Sequence, residues 1–322
     1  MEKLSRKDSD TLKGFFILLI IIGHNHILCP INGMVMTYLY RFHVIAFFIL
    51  PFFYINYQGK LKFKNIRDYF VRNYIPYLLF FIFSFLVFHL AIKKDGLDID
   101  LFLKGFLSGA QPVLKEATGF YFLWFLPAFF AVTLIRMLFD NAHWLGKVSI
   151  ILFSVFLHLL LSWNTRETLF NSIPFALTQG FYYFAFGVFA YYLLRFIPYI
   201  KYVGAMIFIL VSIAFMVGYK IIIPFLFPIS FVMFSLTIVK LLMYVPYLDE
   251  LGKYSLPIYL VHVYIYNGFE LILPQTIIWG IIILIITIVL SFYISTILLN
   301  IPYIRKLIFP RNWNELKILY KK

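Results

Sequence analysis

The chain has 322 residues, 63% of them hydrophobic and 21% aromatic, with only 13% charged and a mean hydropathy of +0.90. Such a composition excludes an ordinary soluble globular domain and implies a polytopic membrane protein. A formal charge of +14 invites a nucleic-acid reading, but the Lys and Arg residues lie between apolar runs instead of forming a basic surface, so that class is set aside.

A membrane span needs about 20 apolar residues. The sequence predicts ten, over 12–29, 35–56, 74–92, 121–139, 147–163, 173–194, 202–219, 221–244, 256–273 and 276–300. The expected fold is therefore all-α, with the first run read as a retained anchor and not a cleaved signal peptide. Only Lys220 interrupts the seventh and eighth runs. With ten spans, the amino terminus, the even-numbered connections and the carboxyl tail hold 21 Lys and Arg. The opposite side holds six: Lys93, Lys94, Lys104, Lys115, Arg166 and Lys220. Positively charged loops resist translocation, so both termini are expected to be cytoplasmic. The longest connection, residues 93–119, contains DIDLFLKGFL, an amphipathic pattern suited to a membrane surface or a lid. No internal repeat or Gly/Ser-rich linker appears, so residues 1–322 are read as one integral-membrane domain.

Ionisable groups within a bilayer are costly and mark candidate sites. Lys13 and His24 are eleven residues apart, which on an α-helix is about 16.5 Å of rise and about 20° of rotation, so they share one stripe. Asp10 stands at i, i+3 from Lys13, positioned for an ion pair. A short loop, PINGM, makes the first two spans an antiparallel hairpin that brings Arg41 and His43 to the depth of His24. His262 falls mid-membrane in the ninth span, with Glu270 on the same helix. His26, two positions from His24, faces about 200° away on a continuing helix. For it and for His89 and His158 the expected role is hydrogen bonding between helices, and His143 is expected in a solvated loop. No His-x-x-x-His or Glu-x-x-His pair occurs and Cys29 is the only cysteine, so no metal centre and no intramolecular disulfide are expected.

Four stretches, in order, resemble the acyltransferase 3 family. Asp10 to His24, DTLKGFFILLIIIGH, is similar to its first-helix signature, a basic residue and a His separated by ten residues. Tyr40 to Phe48, YRFHVIAFF, resembles its Phe-His-Met-Pro-Leu-Phe-Phe helix. Tyr121 to Ala128, YFLWFLPA, resembles a Trp-Phe-Leu segment of the branch related to fucose 4-O-acetylases, and Leu251 to His262, LGKYSLPIYLVH, its late Ser-x-x-Ile-Tyr-x-x-His helix. Lys13 stands where many members carry Arg, Ala46 replaces the usual Pro, and Leu50-Pro51 replaces a common Ser-Gly. The basic cluster that precedes the third helix of the family is represented by Arg67 and Arg72.

The resemblance implies a multi-pass enzyme of the cytoplasmic membrane that carries an acyl group, acetyl above all, from cytosolic acyl-CoA to a hydroxyl of a surface glycan or lipid-linked saccharide. In that frame His24 is the expected general base, since an imidazole pKa of about 6.5 suits neutral pH. Arg41 and His43 are expected to serve the reaction centre, Arg41 by stabilising the oxyanion or orienting the acceptor, while Lys13 and Arg72 hold the CoA phosphates. A covalent acyl-histidine is the other route. The rival classes are a glycan-lipid flippase or sugar permease, which calls for repeat-related broken helices that the Pro and Gly positions do not pair to form, and a structural or sensory subunit, which leaves the Lys13–His24 register unexplained.

Overall fold

The computed structural model describes residues 4–94, 96–159, 163–219 and 225–320, and among them there is no β-strand. The helices in chain order are α1 (Arg6–Gly23), α2 (Met34–Leu39), α3 (His43–Ile49), α4 (Phe63–Leu86), α5 (Ile99–Ser108), α6 (Gln111–Thr118), α7 (Phe125–Asn141), α8 (Trp144–Leu159) and α9 (Trp163–Ser172). They continue as α10 (Leu177–Phe196), α11 (Ile200–Met216), α12 (Leu226–Leu242), α13 (Leu248–Lys253), α14 (Ser255–Glu270), α15 (Ile277–Asn300), α16 (Pro302–Ile308) and α17 (Trp313–Tyr320). Among the described residues four helical stretches are long and apolar enough to cross a membrane: Met34–Phe53, Phe63–Lys93, Phe122–Asn141 and Ile277–Asn300. Trp144–Leu159, Ile200–Met216 and Leu226–Leu242 are apolar but shorter. The junction expected at Lys220 lies outside the described residues.

The chain forms two compact units, one of Met1–Ile55 with Phe186–Leu298, the other of Asn56–Ala185 with Leu299–Lys322. In the first, α1 is the hub, packed against α2, α3, α12, α13 and α14. A capping box starts it: Asp8 N–H donates to the Ser5 hydroxyl (3.1 Å) and Ser5 N–H to the Asp8 carboxylate (3.3 Å). Asp8 also pairs with Lys240 of α12 at 2.8 Å. Phe16 fills the gap between Phe231 and Phe47 with ring centroids at 5.4 and 5.6 Å. Against α13 the backbones themselves meet. A Cβ at Gly14 would stand 1.8 Å from the Leu248 carbonyl oxygen, and one at Gly252 1.7 Å from that of Asp10. Only small residues permit such an approach.

Two details of this unit differ from the sequence expectation. The first helix stops at Gly23 and does not run to Cys29, because the fully buried Asn25 takes the backbone into a turn. Its Oδ1 accepts from Ile27 and Leu28 N–H (3.2 and 3.0 Å), and its Nδ2 donates to Gly280 O of α15 at 2.8 Å. The α1–α2 connection is thus residues 24–33, longer than the five-residue loop expected. The second apolar run is also broken, at Tyr40–Phe42, where Phe42 leaves helical geometry (φ −145°, ψ −31°) and buries its ring against Phe231 and Phe208 at 4.3 and 5.4 Å. The stretch then closes as a 3₁₀ turn, Leu50–Phe53.

In the second unit α4 is the spine and ends in a π-helical turn, Val87–Lys93. The amphipathic DIDLFLKGFL segment does form a helix, α5, capped by Asp98. Tyr77 of α4 donates to the carbonyls of Gly105 and Phe106 at 3.0 and 3.2 Å, fixing α5 to the spine. The tail returns to α4: Trp313 N–H donates to Asp68 (3.0 Å), and a bidentate Arg305–Glu315 pair (3.0 and 3.1 Å) clamps α16 to α17.

Candidate active site

Three imidazoles gather in the first unit around the carboxyl end of α1. His24 is the C-cap residue of that helix; its ring lies 5.1 Å from that of His262 on α14 and 5.9 Å from Tyr40, which in turn stacks edge-on against His43 at 4.8 Å. His43 and His262 are fully buried and His24 is 9% exposed.

Each ring is fixed to a carbonyl one turn back on its own segment. His24 Nδ1 lies 2.9 Å from Ile20 O, His43 Nδ1 bonds Leu39 O, and His262 Nδ1 lies 2.7 Å from Tyr259 O and 3.2 Å from Ile258 O. A carbonyl oxygen only accepts, so in all three rings Nδ1 carries the hydrogen and Nε2 the lone pair. The cluster therefore holds three Nε2 lone pairs. That of His43 has no hydrogen-bond partner among the described residues, and it borders the backbone of Gly23, where an added Cβ would lie 3.7 Å away. That of His262 stands 3.5 Å from His24 Nδ1.

Arg41 lies in the break that precedes α3, its guanidinium over the rings of Phe215 and Phe227 at 5.1 and 5.5 Å. At these distances the cation is drawn to the faces of both rings. The residues expected at the reaction centre, His24, Arg41 and His43, thus belong to one unit. Sequence reasoning placed His262 within the membrane without giving it a part in the site. The signal was there in the Ser-x-x-Ile-Tyr-x-x-His match, but a partner 238 residues away cannot be assigned from spacing.

Lys13 lies midway along the same helix, eleven residues before His24. It pairs with Asp10 at 2.7 Å, the i, i+3 contact expected, and lies 5.6 Å over the ring of Tyr54. It lines a cavity of about 430 Å³ with Leu4, Arg6, Ser9, Asp10, Tyr54 and Lys253. Three cations against Asp10 and the Glu250 that pairs with Lys253 leave this basin with a net positive charge. The Ser9 hydroxyl within it has no hydrogen-bond partner among the described residues. Lys253, absent from the sequence-based site, is held above its ordinary pKa by its hydrogen bond to Glu250 and so is a secure cation. Arg72 is part of the second unit, exposed in a cleft of about 320 Å³ with Lys60, Asn65, Asp68, Tyr69, Arg311 and Asn312.

The rings of His89 and His158 bond carbonyls of neighbouring segments. His89 Nε2 bonds Ala117 O at 3.1 Å; His158 Nε2 bonds Tyr182 O at 2.8 Å, the two rings stacked at 3.8 Å. His26 lies beyond the helix end, its backbone N–H donating to Glu270 at 3.3 Å. Among the described residues no group of three or more His, Cys, Asp or Glu side chains is arranged to hold a metal ion.

The sequence model of the acyltransferase 3 family, described as an acyltransferase domain, matches residues 6–300. The chain belongs to the acyltransferase 3 family. It is accordingly a membrane acyltransferase, and the matched region contains Lys13, His24, Arg41, His43, Arg72 and His262. Neither a curated protein nor a solved structure matches this acyltransferase significantly.

Proposed function

We propose that this acyltransferase moves an acyl group, acetyl in the first instance, from cytosolic acyl-CoA to a hydroxyl of a cell-surface or exported glycan. In this reading the helices make ten crossings with both termini cytoplasmic, and the chain acts as a single integral-membrane domain of the cytoplasmic membrane. The observation that carries it is α1: one uninterrupted helix with a cation-lined basin at Lys13 and, about 16.5 Å along the same stripe, an imidazole with its lone pair at Nε2.

The CoA phosphates would sit in the basin against Lys13, Arg6 and Lys253, with the Ser9 hydroxyl as a further donor. Lys13 acts as a point charge and offers no bidentate fork. Arg72, in its own basic cleft, is the second residue proposed for the donor. The acyl arm would extend along α1 toward His24. There His24 Nε2 takes the proton of the acceptor hydroxyl as its oxygen attacks the thioester carbon. The tetrahedral oxyanion collapses with cleavage of the C–S bond, and the proton passes from His24 to the departing thiolate, leaving an O-acyl ester and free CoA. Arg41 faces the developing negative charge and His43 lines the reaction centre. Deprotonating a hydroxyl within a dry helix bundle needs a base on the spot, which is why the rate should depend on His24.

The test is transfer of radiolabelled acetyl from acetyl-CoA to endogenous glycan by membranes carrying the protein, with mass spectrometry of surface glycans from cells with and without the gene. A lost ester identifies both acyl group and acceptor. His24→Ala is expected to abolish transfer, a fall of at least about 10² in kcat, at unchanged protein abundance. Wild-type rate in that variant would remove His24 from the mechanism.

A further inference from the structure

We propose that His262 is the partner base of His24: it orients the imidazole through Nδ1 and takes a share of its positive charge while Nε2 holds the hydroxyl proton. The proposal rests on the reading of His24 as general base.

The geometry that carries it is the 3.5 Å approach of His262 Nε2 to His24 Nδ1 with the rings at 71°, edge to face. At this distance one hydrogen can be shared between the two nitrogens, and the carbonyls decide whose it is. If His262 were the donor, its Nδ1 would turn a lone pair on Tyr259 O at 2.7 Å and Ile258 O at 3.2 Å, and His24 Nδ1 would turn one on Ile20 O at 2.9 Å. Two lone-pair contacts with carbonyls in a buried site are costly. The hydrogen therefore belongs to His24 Nδ1, shared between Ile20 O and the Nε2 lone pair of His262.

At rest the shorter contact, to Ile20, dominates. Once His24 Nε2 gains the acceptor proton, the ring is an imidazolium and its Nδ1–H a much stronger donor. A neutral imidazole at the same nitrogen then stabilises that ion without bringing a full negative charge into the bundle, which a carboxylate in the same position would do at a desolvation cost. Nothing is consumed: the shared hydrogen stays with the pair and returns to rest when His24 gives its proton to the CoA thiolate. Because His262 acts through His24, it is a positioning residue.

The experiment compares His262→Leu, which fills the space without an acceptor, with His262→Gln, whose amide oxygen reaches about where Nε2 stands. Transfer of labelled acetyl is measured on membranes normalised for folded protein by fluorescence-detected size exclusion. Expected is a fall in kcat of at least tenfold for His262→Leu with donor KM within twofold of wild type, and a several-fold recovery in His262→Gln. Added to His24→Ala, His262→Leu should cost nothing further, since two residues acting as a unit are not additive. A wild-type kcat in His262→Leu, or equal losses in Leu and Gln, overturns the proposal. Should His262→Leu fail to accumulate, His262→Ala with and without added imidazole takes its place: rate restored by imidazole supports the pairing and unrestored rate sinks it. If His24→Ala is inactive while His262→Leu is normal, only this proposal fails; if His24→Ala is fully active, the base assignment fails and takes the pairing with it.

Discussion

Gly252→Ala isolates the contact on which the donor basin depends. The added Cβ would lie 1.7 Å from Asp10 O, 2.6 Å from its carbon and 2.9 Å from Gly14 N, whereas real Cβ contacts essentially never fall under 3.0 Å. The two backbones must therefore separate by more than about 1 Å, and no side-chain rotation relieves a clash with backbone. Overpacking of this kind costs about 1–3 kcal/mol, and 1–2 kcal/mol already changes the folded-to-unfolded ratio about 5- to 30-fold. Lys253 is the next residue and moves with α13, so the basin that it lines with Lys13 opens as well. The expected outcome is a lowered thermal midpoint by fluorescence-detected size exclusion, with a donor KM raised at least threefold in membranes. Gly268→Ala is the control: its Cβ meets nothing within 4 Å, so it should lose neither stability nor affinity. A Gly252→Ala protein with wild-type midpoint and KM would refute the interlock.

Lys13→Ala and Lys253→Ala should each raise the donor KM several-fold with less than a twofold change in kcat, and an unaltered KM in both would remove the basin from donor binding. Arg41→Ala should lower kcat about 10²-fold while donor affinity is retained, the size of effect expected when a preorganised oxyanion donor is lost; titration with a non-hydrolysable acyl-CoA analogue checks that affinity. Acid should act on the Asp8–Lys240 tie. Burial raises the pKa of the Asp8 carboxyl, but hydrogen bonds from Lys240 and Ser5 outweigh it and leave the net value below the ordinary one. A lowered folded pKa means that the stabilisation is complete above the ordinary pKa of about 3.9 and is lost as pH falls through the lower folded value. The gap in thermal midpoint between wild type and Asp8→Asn should accordingly be constant above about pH 5 and close below about pH 4. A gap that persists under acid would show that charge on Asp8 is not its source.

What was legible in the sequence follows from how local each feature is. The Lys13–His24 stripe needs only one unbroken helix, and the Ser5–Asp8 capping box with the apolar run behind it supplies one. The broken second stretch was hidden because its cause is remote: Phe42 leaves the helix to reach rings on α11 and α12, and nothing in YRFHVI signals those partners. Asn25 was passed over between two histidines, although a buried amide after a helix-ending Gly is a turn-former. Its bond to Gly280, like that of His24 to His262, joins residues more than 230 positions apart. Lys13 and Arg72 were given one role from their expected place at the inner mouth; Lys13 lines the cavity of the first unit and Arg72 the cleft of the second.

That every imidazole of the cluster is tethered to a carbonyl of its own turn has a dynamic consequence. Helices that slide or tilt while a bulky acceptor enters change the spacing between rings, but they carry each Nδ1 hydrogen along with the segment that holds it. The protonation pattern is thereby insulated from breathing of the bundle: the pocket can widen and narrow through a turnover without any of its bases having to exchange tautomers first.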